Sequence, residues 1–407
     1  MQSVRRSVGC GGLMGLLFIL LAACQPGAIP TAISTPSPTA LPMATTTPIP
    51  VATSTLIPAQ RILFSGGQCM SEEQCAGDYM GPWQTDLYMV NSDGTNLRAL
   101  VEGNELRLLS LSPNGKRLLV RDYRKDSNGD GELNYLDQPQ LFTLDLTTLN
   151  MQLLASGFSW AEWLPDSEHL VYGGGGNLYT ARYDGAERVS LVEMALPLRS
   201  WFQFALSPDA SLIAYLVCAF GEDQCTLYCV NTDGTAQYIV ATFPNNAGSA
   251  YVKWSPRGDR IAVSVPFPGL RKQADIFSVK TDGSETRQVF RSDNGLIGLW
   301  WLSDGERLGF ATDTGDNTPT CFKIDLNGDN LEEMGFLDNL GTCISGEWSP
   351  DRRLFATTLA GDWSSGQSII ERLGLYVLSL DDENWQQILS GYSIDGLAWL
   401  SDSVTIP

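Results

Sequence analysis

The chain has 407 residues, with 46 acidic against 26 basic side chains and a formal net charge of −20. That balance excludes a nucleic-acid binder, which needs a basic footprint, and it excludes adsorption to anionic lipid by charge alone. Hydrophobic residues make up 43% of the chain, enough for one large core.

Arg5 and Arg6 precede an apolar run from Leu13 to Ala23 that is too short to stand as a spanning helix. The run ends in Leu21-Ala22-Ala23-Cys24, which resembles the lipobox of bacterial lipoprotein signals. The resemblance covers the first 24 residues. It implies a signal peptide over 1–23, cleavage before Cys24 and lipid on that cysteine. The protein would then sit outside the cytoplasm in the bacterial cell envelope, held to the membrane by its lipid. Each buried CH₂ of an acyl chain adds about 0.8 kcal/mol, so several chains on one residue anchor firmly. Loss of Arg5 and Arg6 takes the net charge from −20 to −22.

Residues 24–60 follow as a stalk. From 25 to 60 there is no charged side chain, and Pro, Thr, Ser and Ala dominate, as in Thr35-Pro-Ser-Pro-Thr39. Such a stretch cannot bury a core and favours extended polyproline geometry. At about 3.1 Å per residue it reaches up to roughly 100 Å. Its threonines offer acceptors for sugar, but a plain spacer is the simpler expectation.

With Cys10 cut away and Cys24 lipidated, seven cysteines remain. Outside the cytosol they can pair. Cys69 with Cys75 and Cys218 with Cys225 would each close a short loop and are expected as disulfides. Cys321 with Cys343 is a weaker third pair. Cys229 is left odd and is expected as a small buried side chain.

From residue 61 to 407 one turn signature recurs after a bulky residue. It reads Leu111-Ser-Pro-Asn-Gly115, Trp163-Leu-Pro-Asp-Ser167, Leu206-Ser-Pro-Asp-Ala210, Trp254-Ser-Pro-Arg-Gly258, Trp301-Leu-Ser-Asp-Gly305, Trp348-Ser-Pro-Asp-Arg352 and Trp399-Leu-Ser-Asp-Ser403, at spacings of about 43 to 52 residues. A period of this size marks a β-propeller or a related array. A second motif alternates with it, an aromatic strand such as Leu87-Tyr88-Met89-Val90 or Ile276-Phe277-Ser278-Val279, most copies running into an Asp-Gly-like turn. With the strands between them, the unit has four antiparallel strands, A to D. Strand A ends at the Ser-Pro-Asp-Gly-like turn, and C is the aromatic strand.

The first B-C-D set, beginning at residue 61, has no A before it. The last A, ending near Trp399, has no full unit after it. The expected fold is therefore all-β, a seven-bladed propeller closed by a C-terminal strand at about 395–401 joining the N-terminal strands. The Trp, Tyr and Phe of the repeats are expected to pack blade against blade. The repeats resemble those of TolB and of prolyl oligopeptidase propeller domains over nearly all of 61–407. That resemblance implies the fold and no activity. TolB carries a separate N-terminal domain where this chain has its stalk.

Alternate hairpins of a meander emerge at opposite ends. The A–B and C–D turns are short, whereas the B–C and D–A connections are long and variable. Ligand contacts concentrate on such loops, so the B–C/D–A face is expected to be the working one. Trp83, Trp160, Trp201, Phe220 and Trp363 lie in or beside these connections and are candidate stacking groups for a peptide or sugar. Local loop packing is their plainer reading.

Chemistry is harder to place. The one histidine, His169, follows an A–B turn on the plain face, so neither a His-based metal cluster nor a Ser-His-Asp triad can be built. Glu162, Lys253 and Glu347 share one register of strand A, just before each Trp, and would line the central channel. The leading expectation is a membrane-anchored binding or scaffolding propeller, a monomer, recognising protein, peptide or glycan on the loop face. The alternative is a carboxylate-based hydrolase or lyase acting on glycans at the channel mouth.

Residues 126–137, Asp-Ser-Asn-Gly-Asp-Gly-Glu-Leu-Asn-Tyr-Leu-Asp, place oxygen side chains at positions 1, 3, 5, 9 and 12 and a glycine at 6. That is the EF-hand ligand pattern with Asp at the end, and it resembles the calcium loop of dockerin modules. Asp126, Asn128, Asp130 and Asp137 would bind through side chains, Glu132 through its carbonyl, and Asn134 directly or through water. The expected role is structural. Chelation should then lower the thermal midpoint of the chain by a few degrees, and Asp126→Ala with Asp130→Ala should erase that sensitivity. A midpoint unmoved by chelator overturns the calcium assignment.

Overall fold

The computed structural model describes residues 60–68, 85–102, 106–122, 139–158, 160–174, 177–194, 201–219, 222, 224–244, 250–266, 273–293, 295–313, 319–335, 346–358, 373–381, 384–401 and 404–407. All its regular elements are strands. The first blade holds β1 (Arg61–Gln68), β2 (Asp86–Asn91) and β3 (Arg98–Val101). The second holds β4 (Leu106–Leu111), β5 (Arg117–Asp122), β6 (Gln140–Asp145) and β7 (Met151–Ser156). The third holds β8 (Trp160–Trp163), β9 (His169–Gly174), β10 (Asn177–Arg182) and β11 (Val189–Val192). The fourth holds β12 (Trp201–Leu206), β13 (Leu212–Cys218), β14 (Gln224–Asn231) and β15 (Tyr238–Pro244). The fifth holds β16 (Tyr251–Trp254), β17 (Arg260–Pro266), β18 (Ala274–Lys280) and β19 (Arg287–Ser292). The sixth holds β20 (Leu296–Trp301), β21 (Arg307–Asp313), β22 (Pro319–Asp325) and β23 (Glu332–Glu333). The seventh holds β24 (Gly346–Trp348), β25 (Leu354–Thr357), β26 (Gly374–Ser379) and β27 (Asn384–Ser390). The last strand, β28 (Tyr392–Leu400), pairs with β1, so the first sheet runs β28-β1-β2-β3 and the seven-bladed ring closes as the repeat count predicts.

The repeated turns are built by local side-chain chemistry. The hydroxyls of Ser112, Ser207, Ser255 and Ser349 accept the N–H of Arg117, Leu212, Arg260 and Leu354 at 2.9–3.2 Å. Each of these serines donates its own proton to an Asn or Asp of the turn, for example Ser207 to Asp209 at 2.6 Å. The fifth position adopts positive φ, from Gly115 (71°) to Arg352 (57°). That is why glycine recurs there, and why Ser167, Ala210 and Arg352 stand in a costlier backbone region.

Aromatic residues of strand C stack on strand B partners directly opposite. Phe64–Tyr88, Tyr172–Tyr179, Tyr215–Tyr228 and Phe310–Phe322 have ring centroids 5.0–5.6 Å apart. In six blades the C–D pairing slips by one residue at the aromatic position, as at Leu87/Tyr88 and Leu227/Tyr228. A bulge sharpens twist, and here it recurs at one place in six blades.

The A strands touch one another around the ring, β28 with β4, β12 with β16, β16 with β20 and β24 with β28, so they form the inner wall. The repeated tryptophans tie that wall together. Trp254 Nε1 donates to the Ala205 carbonyl at 2.9 Å, Trp301 to Lys253 at 3.0 Å and Trp399 to Glu347 at 2.7 Å, each on the preceding blade. At the seam, Leu108 N–H donates to buried Ser65 Oγ at 2.9 Å. The segment after β28 adds a latch. Arg61 reaches the carbonyls of Ser401 and Val404, while Val404 and Ile406 bury beside Leu118 and Leu144.

Gly396 sets how closely blades one and two approach, since a Cβ there would lie 2.3 Å from the Leu108 carbonyl oxygen. Gly396→Ala should therefore destabilise the ring by about 1–3 kcal/mol, read as a lower urea midpoint. An unchanged midpoint would show that the seam has slack.

Candidate functional site

Inner strands begin at the D–A connections and end at the A–B turns, so their first residues, with the last residues of strand B, ring the loop-face mouth. There the second blade presents Arg107 and Arg121, Cα partners on β4 and β5. The first blade presents Asp395, whose carboxylate lies 3.6 Å from Arg107 Nε. Asp395 is the extra residue of a bulge, because Ser65 pairs with Gly396 and Gly66 with Ile394. Bulges near rims re-aim side chains. Burial raises the Asp395 pKa, against the opposing pull of Arg107 and Arg121. On the third blade Trp160 opens β8, 55% exposed, with the Arg121 guanidinium 5.7 Å from its ring centroid. Guanidinium groups, a half-buried carboxylate and an open indole thus meet at one mouth. Such a set can hold polar or acidic groups and stack a planar one.

Deeper in the channel, Glu162, Lys253 and Glu347 do share a register, pairing with Val171, Ala262 and Ala356. Trp300 occupies the same register on β20. Burial raises the pKa of both Glu162 and Glu347. Glu162 is tied into the wall, for its Oε2 accepts the Leu206 N–H of the next blade at 3.3 Å, and the Lys253 charge pulls its pKa back down.

Of the candidate stacking residues, Trp160 is placed and exposed. Trp201 opens β12, but its side chain, like Trp83, Phe220 and Trp363, lies outside the described residues. So do Cys24, Cys69, Cys75 and Cys343, and the calcium-loop residues Asp126, Asn128, Asp130, Glu132, Asn134 and Asp137. Among the described residues no cluster of three His, Cys, Asp or Glu is placed to hold a metal. The Cys218–Cys225 disulfide is formed between directly paired residues of β13 and β14, at the loop face as expected. Cys321 is disulfide-bonded as well. Cys229 is free and buried, its thiol pushed up to about 11 by burial.

The sequence reading missed Arg107, Arg121, Asp395 and Trp300. Two arginines at the outer ends of strands that otherwise read apolar were a usable signal. So was Asp395-Gly396 interrupting a strand, and so was the Trp300-Trp301 doublet.

No family model matches the chain. Over 125 residues it is 28% identical to dipeptidyl-peptidase 5 of Porphyromonas endodontalis, a stretch covering 30% of this chain and 17% of that protein. The chain thus spans about a sixth of the length of that curated relative. Among solved structures it is similar to TolB from Acinetobacter baumannii, with TM-score 0.43, 12% identity, and coverage of 84% of this chain and 66% of that one. It is also similar to a periplasmic gluconolactonase of Pseudomonas aeruginosa, with TM-score 0.48, 15% identity, and coverage of 84% and 99%. The seven-blade assignment rests on strand pairing and not on these likenesses.

His169 sits on the opposite, turn-bearing face, at the foot of the third blade. Its Nδ1 is 2.7 Å from Asp166 Oδ2, and that hydrogen bond is the main reason its pKa is raised. A raised folded pKa stabilises fully below the unfolded value of about 6.5, and the gain is lost as pH rises through the folded value. As the chain has one histidine, its NMR titration is a single curve. The midpoint should lie above the ordinary value and fall on Asp166→Asn; an unmoved midpoint refutes the coupling.

Proposed function

We propose that this protein is a binding or scaffolding propeller of the bacterial cell envelope. It stands outside the cytoplasm, lipid-anchored through Cys24, and recognises a protein, peptide or glycan on its B–C/D–A loop face. The observation that carries the reading is the mouth of the channel. Arg107, Arg121, Asp395 and exposed Trp160 converge there, where the long connections also emerge. The disulfides at Cys218–Cys225 and Cys321 support an oxidising compartment. The uncharged stalk over 24–60 fits a spacer that holds the ring away from the lipid. Calcium in the 126–137 loop would stiffen the B–C connection of the second blade, next to Arg121.

A glycan and peptide array probed with the full chain tests this. Retained ligands should weaken about tenfold with Trp160→Ala, an exposed side chain whose loss leaves the core intact. Retention indifferent to Trp160→Ala and Arg107→Ala would move binding off this mouth. Turnover of a retained glycan would overturn the binding reading in favour of a carboxylate-based hydrolase or lyase.

A further inference from the structure

Two guanidinium groups stand side by side at the channel mouth. Arg107 and Arg121 are Cα partners on β4 and β5, and like charges directly opposite on neighbouring strands repel. Asp395 faces the pair from the first blade and feels both charges. Its contact with Arg107 is loose, since 3.6 Å from Nε to Oδ2 exceeds the charge-assisted hydrogen-bond range of about 2.7–2.9 Å. Burial and the two arginine charges act on this carboxylate, and among the described residues no hydrogen bond reaches it. The bulge that carries Asp395 thus presents an acceptor still short of donors.

A ligand at this mouth has to answer both signs. Arginine only donates hydrogen bonds, and an ionised carboxylate only accepts them. A carboxylate ligand suits Arg107 and Arg121 but is repelled by Asp395 and by a chain of net charge −20. An ammonium ligand suits Asp395 but is repelled by the two arginines. A zwitterion answers both, yet two charges must then lose water in an open mouth. A hydroxyl donates and accepts at once and brings no charge to desolvate. Trp160 adds the apolar part. Its indole is 55% exposed, with the Arg121 guanidinium 5.7 Å from the ring centroid. An indole face suits a flat apolar surface, and a pyranose offers one on its C–H side with hydroxyls around the rim. Asp395 and Trp160 stand on blades one and three, with both arginines between them on blade two, which suits a chain of sugars better than a single one.

We propose that the loop-face mouth binds a neutral oligosaccharide, with one pyranose stacked on Trp160, hydroxyls of the chain donating to Asp395, and Arg107 and Arg121 donating to its oxygens. This rests on the reading of the mouth as the binding face and narrows its ligand to one class.

The experiment is an array of neutral oligosaccharides, uronic-acid oligosaccharides and peptides probed with the full chain, followed by calorimetric titration of the ligands retained. Neutral oligosaccharides should be retained. Asp395→Asn keeps the shape of the side chain and removes its charge. It should weaken a neutral oligosaccharide about tenfold at an unchanged thermal midpoint, and so should Trp160→Ala. For an acidic ligand the sign reverses, because Asp395→Asn removes a repelling charge. Retention of acidic glycans or peptides alone, lost in Trp160→Ala, overturns the neutral-glycan assignment and leaves the mouth as the binding face. Neutral oligosaccharides bound equally or more tightly by Asp395→Asn overturn it too. No retention of any ligand, or retention indifferent to both Trp160→Ala and Arg107→Ala, overturns the assignment together with the reading it rests on.

Discussion

Everything in this molecule depends on one pairing, that of β28 with β1. The two strands are separated by most of the chain, and closing a loop of that length costs roughly 5 kcal/mol in chain entropy. Against that stand the antiparallel ladder, the Arg61 latch onto the following segment, and the burial of Val404 and Ile406 beside the second blade. Without the pairing, β1 would present an open edge and blade one would lack its inner strand. The first and seventh blades are thereby made neighbours like any other pair, and the channel becomes a closed wall.

The period-two geometry of a strand then sorts the inner wall into two sets of side chains. One position carries the bulky repeat residue, and three of its indoles reach back to the preceding blade. The position before it carries Glu162, Lys253, Trp300 and Glu347 in the third, fifth, sixth and seventh blades. Cohesion between blades and the chemistry of the channel are therefore written on alternate residues of the same strands. That separation lets one set vary while the other holds the ring.

The fold was legible because its signals are local. The Ser-Pro-Asp-Gly turn announces itself through a hydroxyl that bonds five residues ahead and a fifth residue with positive φ, both within a single turn. The aromatic strand announces itself through pairing with its immediate neighbour in sequence. The site was legible only in part. Trp160 could be placed at the mouth from its loop position, and Glu162, Lys253 and Glu347 from their register. Asp395 meeting Arg107 could not, because it needs a bulge opposite Ser65 and Gly66, more than three hundred residues earlier in the chain. The resting place of the Trp300 indole could not either, because it depends on an absent side chain at Gly309. Sequence reads what a residue brings, and much less readily the space left by one that brings nothing.

The buried free thiol of Cys229 has a consequence for chemistry after folding. It lies on β14, in the same core cluster as the Cys218–Cys225 bridge. Four residues of extended strand, about 13 Å, separate it from Cys225, so it can attack the bridge only if the blade opens, and attack also requires the thiolate. With a pKa near 11, about one molecule in ten thousand carries that thiolate at neutral pH. Burial thus adds a chemical lock to that separation, and the same apolar packing that holds the blade together keeps this thiol from the bridge once the bridge has formed.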